Sequence, residues 1–423
     1  MHNYEKDCNT NITLCLNLDS KSKFPIKNWS SLMQYKQPYK YGLFYDIKTK
    51  MIAQIIISKN NILHNIKQFK GILPKHVKIS AVVKANAYGH GQNEVAVILE
   101  NHVDYFQVDD LAELEKLREK TQKPVLVFGY VKNEELEQLV KLKGIPGIYD
   151  LRRLKLLEKI GKRDDKKIKV HIKIDACLGR QGILLKNVPD FIKEAKKLKY
   201  IEIEGIYAHF ANIKDTSDFT HSQKQIDIFK KAVGIFEKNG YKKLMKHMSP
   251  TSGILVHEPK NKYFDMVRIG MGLHGLWPSK DLENKYKNKI SLRSAMTWKT
   301  CIAQVKDVPR GFNIGYGLTY KTPSEKKIAV IPQGYGDGYN RLLSNNGDVL
   351  IHGKRCPIIG RVAMNMFVVD VSHVEGVKVE EEVVLLGSQK DEEVTAEELA
   401  TKTNTINYEV VSRINPLIPR KVV

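Results

Sequence analysis

Val82–Gly91 reads VVKANAYGHG. Lys84 ends a run of β-formers that includes Ile79, Val82 and Val83, with no acidic residue beside it. Small Ala85 and Ala87 then alternate with Asn86 and Tyr88, and Gly89 and Gly91 break the regular structure. This is the pattern of a strand running into a tight loop. A lysine held at a strand end among small neighbours is readily desolvated, and a desolvated amine can form a Schiff base. For a lysine taken alone, a surface residue closing a strand is the plainer reading, so the decision falls to the rest of the chain.

Outward from this stretch, short β-rich runs alternate with amphipathic helical runs. Strands are expected at 78–83, 105–108, 125–127, 146–149, 169–174, 204–208, 244–248 and 266–269, and helices at Leu111–Lys120, Asn133–Leu142, Leu151–Ile160 and Ser222–Asn239. Eight alternations over about 220 residues suit a parallel (β/α)8 TIM-type barrel, typically ~250 residues, better than a doubly wound sheet. After about 290 the texture becomes all-β, with runs at Thr300–Val308, Ile328–Gln333, Val349–Ile351, Val368–Val371 and Glu382–Leu386 and one helix at Ala396–Thr401. Ser344–Gly347 reads as a hairpin turn. The expected fold class is therefore α/β: residues 51–290 a barrel and 291–423 a mainly β C-terminal domain, with 1–50 an extension of unknown role and Met51 an alternative start.

The 423 residues, 42% hydrophobic, can hold a large core and two domains. A formal charge of +22 invites a nucleic-acid reading. The lysines are spread along the whole length, however, with no basic stripe interleaved with aromatics, so no nucleic-acid partner is expected. The five cysteines, Cys8, Cys15, Cys177, Cys301 and Cys356, form no CxxC pair and no Cys/His cluster. That argues against zinc and a disulfide framework, predicts no metal, and fits a reducing cytoplasm. No run approaches the ~20 apolar residues of a membrane span, and the N-terminus lacks the basic start and apolar core of a secretory signal, so no membrane partner is expected.

If the barrel is right, active groups sit just after strand C-termini. Those positions hold Lys84 and Tyr88 after the first strand, Lys173, Asp175 and Arg180 after the fifth, and His209 after the sixth. His247-Met-Ser-Pro-Thr251-Ser-Gly253 follows at the seventh, and Arg268 then Gly270-Met271-Gly272 at the eighth. Hydroxyls, glycine N–H groups and a helix start are what a phosphate needs. Gly270–Gly275 also fits GxGxxG, but with no βαβ unit after it a simple phosphate grip is the better reading. Alone, His209 would be a packed core histidine, and Arg180 and Arg268 would be salt-bridge partners. In the second domain Gly315-Tyr316-Gly317 sets a tyrosine on a backbone free to approach something closely, and its hydroxyl can act as acid or base. A turn aromatic is an even alternative.

In combination, and in order from Met51 to Val423, these motifs resemble the bacterial alanine racemases, pyridoxal-phosphate enzymes built from a barrel and a β-domain. The resemblance implies that Lys84 carries the cofactor, pyridoxal 5'-phosphate. Tyr88, Thr251, Gly270, Met271 and Tyr408 are implied phosphate contacts, and Tyr408 also narrows the substrate pocket. Arg180 is implied to contact the cofactor's phenolic oxygen and the substrate, His209 to lie beside the pyridine ring, and Arg268 to face its nitrogen. Lys173 falls where a lysine is often carbamylated, Tyr316 is the second catalytic base, and the Met364 backbone meets the substrate carboxylate. Tyr335, Arg341 and Arg361 resemble residues of an entrance corridor. The family further implies a homodimer with shared active sites, each taking Tyr316 from its partner, and a bacterial, cytoplasmic role supplying D-alanine for peptidoglycan.

By family analogy Lys84 takes the proton from D-alanine and Tyr316 from L-alanine. The chain departs from the family pattern at Pro250, at Asp175-Ala-Cys-Leu178, at Lys214 and at Asn365, where an aspartate is usual. The alternatives are a serine or broad-specificity racemase of the same fold, an amino-acid decarboxylase of similar architecture, and a non-catalytic pyridoxal-phosphate-binding protein. The last resembles the barrel alone, and the second domain with Tyr316 counts against it.

Overall fold

The computed structural model describes residues 52–214, 216–257 and 263–423; the extension expected over 1–50 and the alternative start at Met51 lie outside them. Among the described residues, eight parallel strands form a barrel: Lys78–Val82, Tyr105–Val108, Val125–Val127, Gly144–Ile148, Ile168–Asp175, Ile201–Tyr207, Met245–Pro250 and Met266–Ile269. The eighth pairs with the first, Ile269 opposite Ala81, and the fourth with the fifth, Gly147 opposite His171, so the barrel has no open edge. The strands expected from 146 and 204 begin earlier, at Gly144 and Ile201, because Gly144 and Glu202 at those ends carry no β signal.

Strand interiors such as Val125–Val127 and Gly144–Ile148 are buried throughout, as parallel strands under helices must be. The helices start where side chains cap them. Asp110 Oδ1 accepts from Glu113 N–H at 2.9 Å to open Leu111–Arg118, and Asp150 Oδ1 from Arg153 N–H at 2.8 Å to open Leu151–Arg163. In the latter helix Leu154 and Leu157 are fully buried, each worth about 1.5–3 kcal/mol.

The C-terminal part is a mainly antiparallel sheet in the order Gln304–Val308, Lys326–Ile331, Phe367–Asp370, Lys354–Ile359, Asp348–Ile351, Glu382–Gln389, Met296–Cys301, Gln54–Ile57, Arg420–Val422. Gln54–Ile57 precedes the barrel in sequence but belongs to this sheet. It lies antiparallel to Met296–Cys301 and parallel to Arg420–Val422. The architecture is thus a (β/α)8 barrel followed by a mainly β domain.

Ser344–Gly347 is not a hairpin. It follows the single helical turn Arg341–Leu343, and the hairpin lies at His352–Gly353, between Asp348–Ile351 and Lys354–Ile359. Those two residues have φ of 55° and 77°, the pair of left-handed conformations a two-residue turn needs. Among the described residues no helix is long and apolar enough to cross a membrane, and no group of His, Cys, Asp and Glu could hold a metal ion.

Candidate active site

Lys84 leaves the first barrel strand at its C-terminal end. The next four residues, Ala85, Asn86, Ala87 and Tyr88, all have φ between 50° and 54°. A left-handed turn of non-glycine residues costs about 1–2 kcal/mol per residue, so its surroundings must over-determine it. Glu113 does much of this: Oε1 accepts from Ala85 N–H at 2.6 Å and Oε2 from Asp109 N–H at 2.7 Å. Burial pushes the Glu113 carboxyl up, against the pull of those two N–H groups. Gly89 closes the turn at φ 81°, where a Cβ would meet Val411 O at 2.0 Å. Lys84 Nζ donates to Asp109 Oδ1 at 3.1 Å.

A cavity of about 570 Å³ opens over this lysine. Lys84, Tyr88, Lys173, Arg180, His209, Thr251, Arg268, Gly270 and Met271 all line it, brought together from five strand ends. Burial, reinforced by Asp109 and Glu113, pushes the Tyr88 phenol up to about 12, so it stays a hydrogen-bond donor. Its hydroxyl sits so close over Gly270 that a Cβ there would lie 2.5 Å from it. Gly272 N–H points to Thr251 Oγ1 at 3.4 Å, where the helix Thr251–Val256 begins. Pro250 occupies the N-cap of that helix, a place where its missing N–H matters little.

Arg268 is buried with no carboxylate accepting from it among the described residues. Nη2 donates to Ala208 O at 2.8 Å, Met248 O at 3.1 Å and His209 Nδ1 at 3.2 Å, and Nη1 to His247 Nδ1 at 2.6 Å. Burial draws it down to about 10, which leaves it charged at neutral pH. Burial, then the Arg268 charge, holds His209 well below the usual histidine range, so its imidazole is neutral. Lys173 Nζ donates to Gln181 Oε1 at 3.3 Å; burial, then Arg180 and Arg268, lower its amine to about 8.

The same cavity exposes residues that the sequence reading missed: Gln107, Asp109, Gln181 and Tyr207. Gln107 and Asp109 flank the end of the second strand, so the rim rule, applied there as it was to the other strands, finds them.

Six residues singled out in the second domain, Tyr316, Tyr335, Arg341, Arg361, Met364 and Tyr408, do not line this cavity. Tyr316 is 74% and Met364 56% exposed. Gly317, at φ 71°, leaves room for Arg361, whose Cζ would lie 2.9 Å from a Cβ there. Gly336 N–H donates to Met364 O at 2.9 Å beside Tyr335, and Tyr335 and Arg341 share a separate cavity. Tyr408 comes nearest through Tyr88, a lining residue whose ring it meets edge-on with centroids 6.4 Å apart.

Two family models match the chain: the alanine racemase N-terminal domain over residues 57–278 and the alanine racemase C-terminal domain over 295–422. Alanine racemase 1 of Caldanaerobacter subterraneus subsp. tengcongensis is 42% identical over 367 residues, 85% of this chain and 92% of that protein. The alanine racemase of Methanococcus maripaludis is 40% identical over 367 residues, 86% of this chain and 96% of that one. Among solved structures, the alanine racemase of Clostridium difficile 630 superposes with a TM-score of 0.83 at 34% identity, covering 89% of this chain and 97% of that chain.

Proposed function

The chain belongs to the alanine racemase family of pyridoxal-phosphate-dependent isomerases, and from that premise we propose that Lys84 and the Tyr316 of a second copy work opposite faces of one alanine Cα. The activity is the interconversion of L-alanine and D-alanine. The observation that carries the division of labour is the pair of placements above: Lys84 opens into the cavity, while Tyr316 stands exposed outside it.

The residues present fit pyridoxal phosphate. The absent Cβ of Gly270 leaves space under the Tyr88 hydroxyl, and Thr251, Gly270 and Met271 present donors for a phosphate there. Arg268 would face the ring nitrogen, neutral His209 would lie beside the ring, and Arg180 would meet the phenolic oxygen. When bound, the cofactor supplies the electron sink that lets a Cα–H leave as a proton. Lys84 would hold it, and its Nζ would accept or return a proton on the face used by D-alanine. Tyr316 Oη of the partner does so on the face used by L-alanine. Arg268, fixed as a cation, would donate to the ring nitrogen rather than protonate it, which would restrain side reactions.

Lys173, with its amine near 8, is part neutral at physiological pH and able to take up carbon dioxide with loss of a proton. The resulting carbamate would turn a cation into an anion facing Arg180. Met364, which like Tyr316 does not line its own chain's cavity, would meet the substrate carboxylate from the second copy, Tyr335, Arg341 and Arg361 would border the approach, and Tyr408 would keep the pocket small enough for alanine. A cytoplasmic site of action, supplying D-alanine to peptidoglycan, fits the free thiols of Cys177, Cys301 and Cys356. The test is borohydride reduction of the loaded protein followed by peptide mapping. The pyridoxyl label is expected on Lys84, and a label elsewhere overturns the assignment.

A further inference from the structure

The charge of buried Arg268 is met by a chain of imidazoles. Nη1 donates to His247 Nδ1 at 2.6 Å, and His247 Nε2 lies 2.8 Å from His171 Nδ1. His171 Nε2 lies 3.1 Å from Glu204 Oε2, and Glu204 Oε1 accepts from Lys169 Nζ at 2.6 Å. Both histidines are fully buried, and Lys169 is half-exposed. The chain therefore runs from the cavity wall through the barrel interior to solvent.

Donor and acceptor roles follow from chemistry. A guanidinium only donates, so His247 Nδ1 accepts. Neutral His247 then carries its proton on Nε2 and donates to His171 Nδ1, and His171 donates from Nε2 to the carboxylate. Every bond points the same way, from the cation to the anion.

The backbone is shaped for this chain. Val170 pairs with Ile203 and His171 with Gly205, which leaves Glu204 as the extra residue of a β-bulge. Bulges re-aim side chains. A Cβ on Gly205 would lie 2.5 Å from His171 Nδ1 and Cε1, so glycine makes room for the ring. A second irregularity falls between the pairs Met266–His247 and Arg268–Pro250. The His247 ring lies parallel to Tyr207, with centroids 5.2 Å apart and planes at 2°.

We propose that Glu204, His171 and His247 are positioning residues for Arg268, a one-directional relay that holds the guanidinium in a single orientation toward the cofactor's ring nitrogen. The cofactor end of this inference rests on the reading of the Lys84 cavity given above; the relay itself does not.

The test is two-bond ¹H–¹⁵N NMR of histidine-labelled full-length protein at pH 7, with pyridoxal phosphate and without it. Wild type is expected to show His171 and His247 both neutral and protonated on Nε2. Glu204→Gln keeps an oxygen acceptor and both tautomers. Glu204→Leu frees His171 to move its proton to Nδ1, and the His247 resonance changes with it although His247 does not touch position 204. In the loaded enzyme the leucine variant is expected to lose about tenfold in kcat, the scale for removing a supporting partner. The KM for alanine stays unchanged, the cofactor's visible absorption shifts, and Glu204→Gln recovers most of both.

An imidazole of wild type found charged or protonated on Nδ1 overturns the proposal. So does a leucine variant that lowers only the melting temperature. If Glu204→Leu does not fold, Gly205→Ala reads the same chain, since its Cβ displaces the His171 ring and must alter His247; an unaltered His247 counts against the relay. Should wild type fail to load pyridoxal phosphate, the cavity reading fails, while the cofactor-free tautomers still judge the relay.

Discussion

Complementation between two inactive variants tests the shared site directly. Lys84→Ala removes the tether and one proton-transfer group, and Tyr316→Phe removes the other. Loss of a positioned acid–base group costs about 10²–10⁴-fold, so each parent turning over L-alanine falls to about a hundredth of wild type or less. Tyr316 is 74% exposed and does not line the cavity that holds Lys84, so on the proposed reading each site takes its Tyr316 from a second chain. In a hybrid dimer, the site using Lys84 from the Tyr316→Phe chain and Tyr316 from the Lys84→Ala chain is intact, while the other site carries both defects.

Random assortment of equal amounts makes half of the dimers hybrid, each with one working site of two. Co-expression should therefore restore about a quarter of wild-type activity per chain in a closed two-fold dimer. That is far above either parent. The assay is D-alanine formation from L-alanine by the unfractionated mixture; co-purification of the two chains on different affinity tags keeps only hybrids, and the expected activity per chain then rises to about a half of wild type. If Tyr316 instead served the Lys84 of its own chain, every site in the hybrid would carry one defect. Activity would then stay at the average of the parents, and the shared-site reasoning would be refuted.

Gly270→Ala places a Cβ 2.5 Å from the Tyr88 hydroxyl; it should weaken pyridoxal phosphate binding at least about tenfold while shifting stability by about 1–3 kcal/mol, read by titration of the visible band and by thermal melting. Glu113→Ala strips the acceptor from an exposed and a part-buried N–H group bonded at 2.6 and 2.7 Å; at about 0.5–1.5 kcal/mol for each hydrogen bond lost, denaturant unfolding should show a loss of stability, and an unchanged midpoint would remove Glu113 as the clamp of the turn. For Lys173, lowered to about 8, the reactive neutral amine grows as pH rises through that value; a ¹³C carbamate signal should therefore increase from pH 7 to pH 9 under labelled bicarbonate. Arg180→Ala, by removing a neighbouring cation, should raise the amine's pKa and weaken that signal at pH 8. Tyr408→Ala should admit serine and larger amino acids; a panel of L-amino acids read for D-product checks this, and an unchanged preference would show that Tyr408 does not narrow the pocket.

The barrel was readable because each strand end repeats one signal, an apolar run cut by a polar or glycine break, and the same rule led to Lys84, Lys173, His209 and Arg268. What stayed hidden depends on contacts far apart in sequence. Gln54–Ile57 looks like the first strand of whatever follows it, yet its partners are Met296–Cys301 and Arg420–Val422, more than two hundred residues away. Glu113 reads as an ordinary first-turn helix glutamate; only the approach of Ala85 reveals its second task. Glu204 sits in an apparently exposed position of an amphipathic strand, and the bulge that turns it toward His171 leaves no local mark. The hairpin at His352–Gly353 was missed because Ser344–Gly347 carries the more familiar turn letters, whereas the φ values place the turn at His-Gly.

These long-range pairings give the second domain a role in the barrel site beyond carrying Tyr316. Ile57 ends the strand shared with Arg420–Val422, and Ser58 then caps Lys59–Ile72, the helix that leads into the first barrel strand. From the same C-terminal strand, Arg420 Nε donates to Gly89 O at 3.0 Å, immediately behind the left-handed turn. Gly89 in turn rests on the backbone of Val411, one position from the end of the helix Asn407–Ser412 that carries Tyr408. A turn of four strained residues is thus braced from the barrel side by Glu113 and from the β-domain side by Arg420 and Val411. The strain at Ala85–Tyr88 can persist only while both braces hold, so the geometry of Lys84 and Tyr88 is a property of the two domains together rather than of the barrel alone.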